Sequence, residues 1–342
     1  MTSAVLALLL LAPDPATLSR QALESAQQKD FPTAERLWKE ALAASPGLFE
    51  ANFNLGYMYQ SRGDLAAAEM PLRRAVRSQP NDFNAQYILG AVLSKLNRTD
   101  EALKHWRLAS ALRPDDARLL QILAVEYSKG RYFRDAAQVA EKALASKPGD
   151  AALWLTAIKA RQDADEHPLA LRLAEKMAAA FPGNSRAAFE LGYELVRAGR
   201  AAEGLPWLDR AMRSPTPWEE PFYFFGDTML KEGRLDEAKR AFQRALELRR
   251  EYMPAWAGLA RTLMSAGELE RARDVLLEAT SVDATHPQPH LLLSQVYFRL
   301  GQEDRAVEEK EMSSRLRRAR PETLESIPGR NFPRSDAAPP AK

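Results

Sequence analysis

The chain has 342 residues, 46% of them hydrophobic and 27% charged, with 48 Lys plus Arg against 46 Asp plus Glu. That balance excludes disorder along the whole length and gives no bulk electrostatic pull toward nucleic acid or acidic membranes. Cysteine is absent, which excludes disulfides, thiolate metal sites, iron–sulfur clusters and cysteine nucleophiles.

The first element in chain order is the apolar run Ala4 to Ala12, AVLALLLLA. It is too short to span a bilayer, which takes about 20 residues, but it fits the hydrophobic region of a secretory signal peptide. No Lys or Arg precedes Arg20, and Leu10 and Asp14 stand where a small residue would precede cleavage after Ala12 or Ala16. Residues 1–14 are therefore a candidate signal peptide or an apolar N-terminal segment packed on the chain from Pro15 onward. The protein is expected to be exported, periplasmic or secreted, if residues 1–12 act as a signal, and cytoplasmic otherwise. No later segment approaches a membrane span.

From Pro15 the sequence repeats. Pro46, Pro80, Pro114, Pro148 and Pro182 succeed one another at intervals of 34 residues, and Ala34, Ala68, Ala102, Ala136 and Ala170 sit twelve residues before them. The alanine register continues through Gly204, Ala238, Ala272 and Ala306. A further small-residue column holds Gly56, Gly90, Gly192 and Gly226, with Ala22, Ala124, Ala260 and Ser294 in the remaining units but one. Nine units of 34 residues cover residues 15–320, and a fixed period of this length is the mark of a solenoid.

Each unit reads as two helices. In the second, Phe53, Leu55, Gly56, Met58 and Tyr59 have the spacing of a helix buried on more than one side. Gly63 suits the left-handed position that ends it, and Asp64 caps the next helix, Leu65 to Arg77. Pro80 removes a donor and turns Gln79 out of the helical region. Gly56 and Ala68 are expected to face each other at the helix crossing, letting the axes approach to the short end of about 8–10 Å.

The motif Asn52-x-x-Leu55-Gly56-x-x-Tyr59, then Gly63-Asp64-Leu65, Ala68, Ala75 and Pro80, resembles the tetratricopeptide repeat. The turn and alanine return in Gly233-Arg234-Leu235-x-x-Ala238 and Gly267-Glu268-Leu269-x-x-Ala272, and the early aromatic in Trp154, Phe222 and Trp256. The resemblance implies an all-α fold: a right-handed α-solenoid superhelix of antiparallel helix pairs over residues 15–320, with the first helix of each pair lining a concave groove. Repeat five departs from it, with Ile158 in the small column, Arg161 where Tyr or Leu is usual, and the acidic turn Gln162 to Pro168; a wider crossing is expected there. The charged second helix of repeat nine reads as a solvated cap. Residues 321–342, with five prolines and little apolar content, read as a disordered tail.

The sequence shows no catalytic constellation. His286 and His290 are four apart, but Pro287 and Pro289 flank them and no acid completes a metalloprotease motif. His167 stands beside Asp165 and Glu166 without further ligands, and His105 reads as a surface residue. Neither a P-loop, a G-x-S-x-G elbow nor a dinucleotide-binding glycine pattern occurs. No catalytic residue, no metal site and no cofactor are therefore expected.

In the geometry the resemblance implies, the groove wall is built chiefly from the second, fifth, ninth, twelfth and thirteenth positions of each unit. Those positions put Phe53, Tyr57, Tyr87, Gln121, Lys159, Phe189, Tyr193, Tyr223, Asp227 and Arg261 on it. The family's carboxylate-clamp version places Lys at the fifth and Asn at the ninth position of adjacent helices. Phe53 with Tyr57, and Tyr87 with Ala91, stand there instead, so a chaperone-tail receptor is not expected. The thirteenth-position ladder Lys95, Lys129, Arg197, Lys231 and Arg299 suits the last turn of a helix, where cations complement the dipole. The expected role is a non-enzymatic scaffold binding a peptide or protein partner, not nucleic acid, in its groove. The alternative is the interaction arm of a multiprotein enzyme or of a secretion or envelope-assembly complex with catalysis on another chain.

Overall fold

The backbone turns left-handed once every 34 residues. Positive φ occurs at Lys29, Gly63, Asn97, Arg131, Asp165, Gly199, Gly233, Gly267 and Gly301, between 59° and 82°. At Gly63 the turn closes as the sequence requires: its N–H donates to the carbonyl of Gln60 and that of Asp64 to Tyr59, at 3.1 and 2.9 Å. Asp64 then caps the next helix, its Oδ1 accepting from the Ala67 N–H at 3.1 Å. Four of the nine turns hold the same conformation without glycine, at Lys29, Asn97, Arg131 and Asp165.

The computed structural model describes residues 14–319; the apolar run Ala4 to Ala12 and the tail 321–342 lie outside the described residues. Among the described residues there are 18 helices and no strand. They fall into two compact units, one ending at Ala164 and the other beginning at Asp165. The division lies in the acidic turn of repeat five.

The first unit contains α1 (Pro15–Gln27), α2 (Phe31–Ala44), α3 (Phe49–Ser61), α4 (Leu65–Ser78), α5 (Phe83–Lys95), α6 (Thr99–Leu112), α7 (Ala117–Lys129), α8 (Phe133–Ser146) and α9 (Ala151–Asp163). The second contains α10 (His167–Ala180), α11 (Ser185–Arg197), α12 (Ala201–Met212), α13 (Glu219–Lys231), α14 (Leu235–Leu248), α15 (Met253–Ser265), α16 (Leu269–Val282), α17 (Pro287–Arg299) and α18 (Glu303–Ala319). Within each unit every helix packs on its predecessor and its successor, which makes a solenoid of helix pairs. First helices also touch first helices: α1 meets α3, α3 meets α5 and α7 meets α9, and in the second unit α11, α13, α15 and α17 meet in turn. No second helix packs on the next second helix to that extent among the described residues. The first helices therefore form a wall in each unit, closely packed except between α5 and α7.

At three of the four glycines of the small column the atom nearest an added Cβ belongs to a large side chain of the second helix. A Cβ on Gly56 would lie 2.6 Å from Leu72 Cγ, and one on Gly90 would lie 2.6 Å from the Trp106 ring. The residue sixteen positions on fills the gap, because a leucine or tryptophan spans it where alanine cannot. At Gly192 the expected facing does occur, with the Gly204 carbonyl 3.0 Å from the added Cβ. The alanine register Ala34, Ala68, Ala102, Ala136, Ala170, Ala238 and Ala272 is wholly buried.

Candidate partner-binding surface

In four of the nine repeats the fourth position ties down the start of the first helix. Asn52, Gln86, Trp154 and Trp256 each donate a side-chain N–H to the carbonyl six residues earlier, at Pro46, Pro80, Pro148 and Arg250, at 2.7–2.9 Å. The proline that stops one repeat thus has its carbonyl held by the next, and the wall's fifth and ninth positions are set from that anchor. Gln86 uses its Oε1 as well, 2.7 Å from His105 Nδ1. His105 is therefore not the free surface residue its sequence suggests. Burial, then the positive charge of Arg73, holds its pKa below the ordinary histidine value.

In the first unit the fifth-position wall residues are partly buried and Tyr57, at the ninth, is open. Phe49, Phe53 and Tyr57 stack along α3 with centroids 5.7 and 6.3 Å apart and nearly parallel planes. Tyr57, at the top of that stack, is 51% exposed. Tyr87 on α5 is half-buried and stacks on Phe83 at 5.8 Å. Gln121 Nε2 donates to Thr156 Oγ1 at 3.1 Å and so joins α7 to α9. Lys159 lies 3.2 Å from Asp163, an ion pair one turn apart on α9.

In the second unit the fifth-position rings close over. Phe189 is 7% and Tyr223 9% exposed. Phe224 joins them: its ring is 4.7 Å from Tyr193, 5.0 Å from Tyr223 and 5.9 Å from Phe189. Trp218 meets Phe189 edge-on, and Phe242 and Tyr252 extend the cluster from Tyr223. Burial, then the Asp227 carboxylate, pushes the Tyr223 hydroxyl up to about 12, and burial also raises Tyr193. Asp227 is half-buried and pairs with Lys231 at 2.7 Å, while Arg261 is exposed.

The basic ladder has local duties. Lys95, Lys129, Arg197, Lys231 and Arg299 all stand in the last turn of a first helix. Lys129 reaches the buried Glu126 at 3.0 Å and Arg197 lies 3.7 Å from Asp165. The histidines are likewise paired: His167 Nδ1 lies 3.1 Å from Glu194 and His290 Nδ1 2.7 Å from Glu309. No cluster of three or more His, Asp or Glu able to hold a metal occurs among the described residues. No described helix is long and apolar enough to cross a membrane.

Two family models, each described as tetratricopeptide repeat, match residues 20–83 and 229–296. One falls in each unit. The chain is a tetratricopeptide-repeat protein. No curated protein matches it. Among solved structures it is similar to PilW, described as a widely conserved type IV pilus biogenesis factor, at 26% identity and TM-score 0.52, over 56% of this chain and 90% of PilW. It also resembles YrrB, described as a TPR protein with an unusual peptide-binding site, at 20% identity and TM-score 0.43, over 53% and 94% of the two chains. A tetratricopeptide repeat protein from Parabacteroides merdae matches at 15% identity and TM-score 0.47, over 73% of this chain and 98% of that one.

Within these tetratricopeptide repeats, sequence reasoning passed over two exposed wall residues, Leu23 and Val125, which occupy the same ninth position as Tyr57. Reading that whole column, instead of its aromatic and charged members, would have found them. It also passed over Trp218 and Phe224, which lie at other register positions and close the aromatic cluster of the second unit.

Proposed function

We propose that this chain is a non-enzymatic interaction scaffold that binds a peptide or protein partner along its first-helix walls. The observation that carries the reading is the wall itself: first helices presenting solvent-open anchors, among them Tyr57 on α3 and Phe298 on α17. Tyrosine binds well in such a place because it buries a large rigid surface and keeps a polar tip, and one anchor can carry about 2 kcal/mol or more. The titratable groups serve packing and pairing, which supports a binding role over a catalytic one.

A capture experiment with the full chain from its native host tests this. A stable partner should be retained by the wild type and lost with Tyr57→Ala at unchanged helical content. Undiminished capture by wall variants would place the partner on another surface. Mass spectrometry of the N-terminus of the same bait decides export: removal of residues 1–12 or so supports a signal peptide, and an intact Met1 argues for the cytoplasm.

A second reading is the interaction arm of a secretion or envelope-assembly complex whose catalysis lies on another chain. The likeness to PilW, a pilus biogenesis factor, supports it. Co-purification with envelope proteins would favour this reading, and a wholly cytoplasmic partner set would remove it.

A further inference from the structure

The two walls differ in chemistry, and the difference selects a ligand. In repeats one to four the ninth position carries Leu23, Tyr57, Ala91 and Val125. Three of these are large and open to solvent, at 40%, 51% and 38% exposure. The fifth positions of repeats two to four are Phe53, Tyr87 and Gln121, all partly buried, so neither column carries a charge there. Apolar side chains left uncovered at regular intervals along one face mark an interaction strip.

The charges bordering this strip are uneven. Lys95 on α5 and Arg118 on α7 are exposed, and neither enters an ion pair among the described residues. Lys129 is already committed to Glu126. The exposed anion on the border is Glu50, and it stands at repeat two. The border is thus basic at repeats three and four and acidic at repeat two. In the second unit the fifth-position rings Phe189 and Tyr223 are buried, and the ninth position carries Asp227, Arg261 and Gln295 after the half-buried Tyr193. The apolar side chains that reach solvent there lie instead at the twelfth position, where Val196, Leu230 and Met264 are half-buried and Phe298 is exposed.

We infer that the first-helix wall of repeats one to four docks an apolar, uncharged segment of a partner protein that carries acidic side chains at the end meeting repeats three and four. This rests on the groove reading proposed for the chain and adds the chemistry of what is bound. An acidic tail without apolar residues would leave Leu23, Tyr57 and Val125 uncovered, and a basic one would meet Lys95 and Arg118.

The test is fluorescence anisotropy on the full chain with three synthetic labelled peptides. The first has a Leu/Val-rich core spaced by Ser and Gln and ends in two Asp. The second replaces the Asp pair by Lys, and the third replaces the apolar core by Ser and Gln and keeps the Asp pair. The first should bind at least about tenfold tighter than either of the others. Tyr57→Ala and Val125→Asp should each weaken it about tenfold, the scale of one interface anchor. Lys95→Glu with Arg118→Glu should reverse the preference for Asp over Lys, while Arg240→Ala, exposed on the second helix α14 away from the wall, leaves binding unchanged.

The inference falls if the polar acidic peptide binds as well as the first, if no peptide binds, or if Arg240→Ala weakens binding as much as Tyr57→Ala does. It falls too if sedimentation shows a second copy of the chain on this wall, with Tyr57→Ala converting dimer to monomer. The groove reading fails separately, if a host partner is captured equally well by all of these variants.

Discussion

Tyr57 and Tyr223 both lie on the first-helix face of their repeats, four residues apart in register, and they end in opposite environments. Tyr57 caps a stack of rings confined to one helix and stays half exposed, whereas Tyr223 is packed by rings from α13, α14 and the turn before α15. The cause is local composition. The run Pro221-Phe222-Tyr223-Phe224-Phe225 and Trp218 supply neighbours that repeat two lacks. A register position says which way a side chain faces; its neighbours decide whether solvent reaches it.

The largest expected effect breaks that comparison directly. Phe242→Ala and Tyr223→Ala should each lower stability by about 3 kcal/mol or more, because each empties a closely packed site in the second unit. Tyr57→Ala should cost less than about 0.5 kcal/mol, as surface changes do. Urea unfolding with a helical signal checks all three. The ranking should invert in the partner-binding assay, where Tyr57→Ala matters most. Equal losses of stability at Tyr57 and Tyr223 would show that the two walls are alike.

The turns offer a smaller effect. Lys29→Gly and Arg131→Gly should each stabilise their repeat by up to about 1 kcal/mol, since an L side chain at positive φ costs about 1–2 kcal/mol that glycine avoids. Gly199→Ala should cost a similar amount. Unchanged unfolding midpoints in both directions would mean these turns relax without penalty.

Charge sharpens the contrast through the sign of the pH dependence. In the first unit Arg73, Glu69, Arg98 and Glu101 form a closed ring of ion pairs at 2.6–2.7 Å. Hydrogen bonds from Arg98, then Arg73, hold Glu101 down to about 2. A depressed carboxylate stabilises above the ordinary carboxylate range, and that contribution is lost as pH falls toward 2. Solvent screening limits it to a few tenths of a kcal/mol, because Glu101 is 43% exposed. Glu220 in the second unit has the opposite sign: burial, then the Glu219 charge, raises it despite Arg186 at 3.4 Å. Its contribution is present below the ordinary glutamate value and lost as pH rises through its folded value. Glu220→Gln should therefore raise the unfolding midpoint at pH 7 and leave it nearly unchanged at pH 4. Glu101→Gln should lower the midpoint at pH 7 and do nothing at pH 2. Matching pH profiles for the two variants would contradict the assignment.

An effect of the same size as at the turns concerns the anchor at the start of four of the first helices. Trp154→Phe should cost about 1 kcal/mol, the worth of its hydrogen bond to the Pro148 carbonyl. Thermal unfolding of the full chain reads this, and no change would mean that water replaces the indole.

The helix pairs and the turns were legible because 34-residue spacing, glycine and proline report backbone geometry directly. Lys29, Arg131 and Asp165 hid their turns, since nothing in those side chains announces a positive φ. Gly56 was legible as a close approach, and Leu72 fills the gap it leaves, because a gap left by one glycine is filled by a large residue as readily as by a small one. The candidate strip was half legible: register put Tyr57 and Tyr223 on the same face, at the ninth and fifth positions, and the neighbouring rings decide how far each is buried. The fourth-position hydrogen bonds were invisible, because Asn52, Gln86, Trp154 and Trp256 share a donor and nothing else.

Hydroxyl-radical footprinting of the full chain, read residue by residue by mass spectrometry, tests the central claim most directly. The account predicts rapid modification at Tyr57 and slow modification at Tyr223 and Phe189, with Tyr57 alone becoming protected when the apolar acidic-ended peptide is added. Equal modification of Tyr57 and Tyr223, or protection confined to residues 165–319, would contradict it.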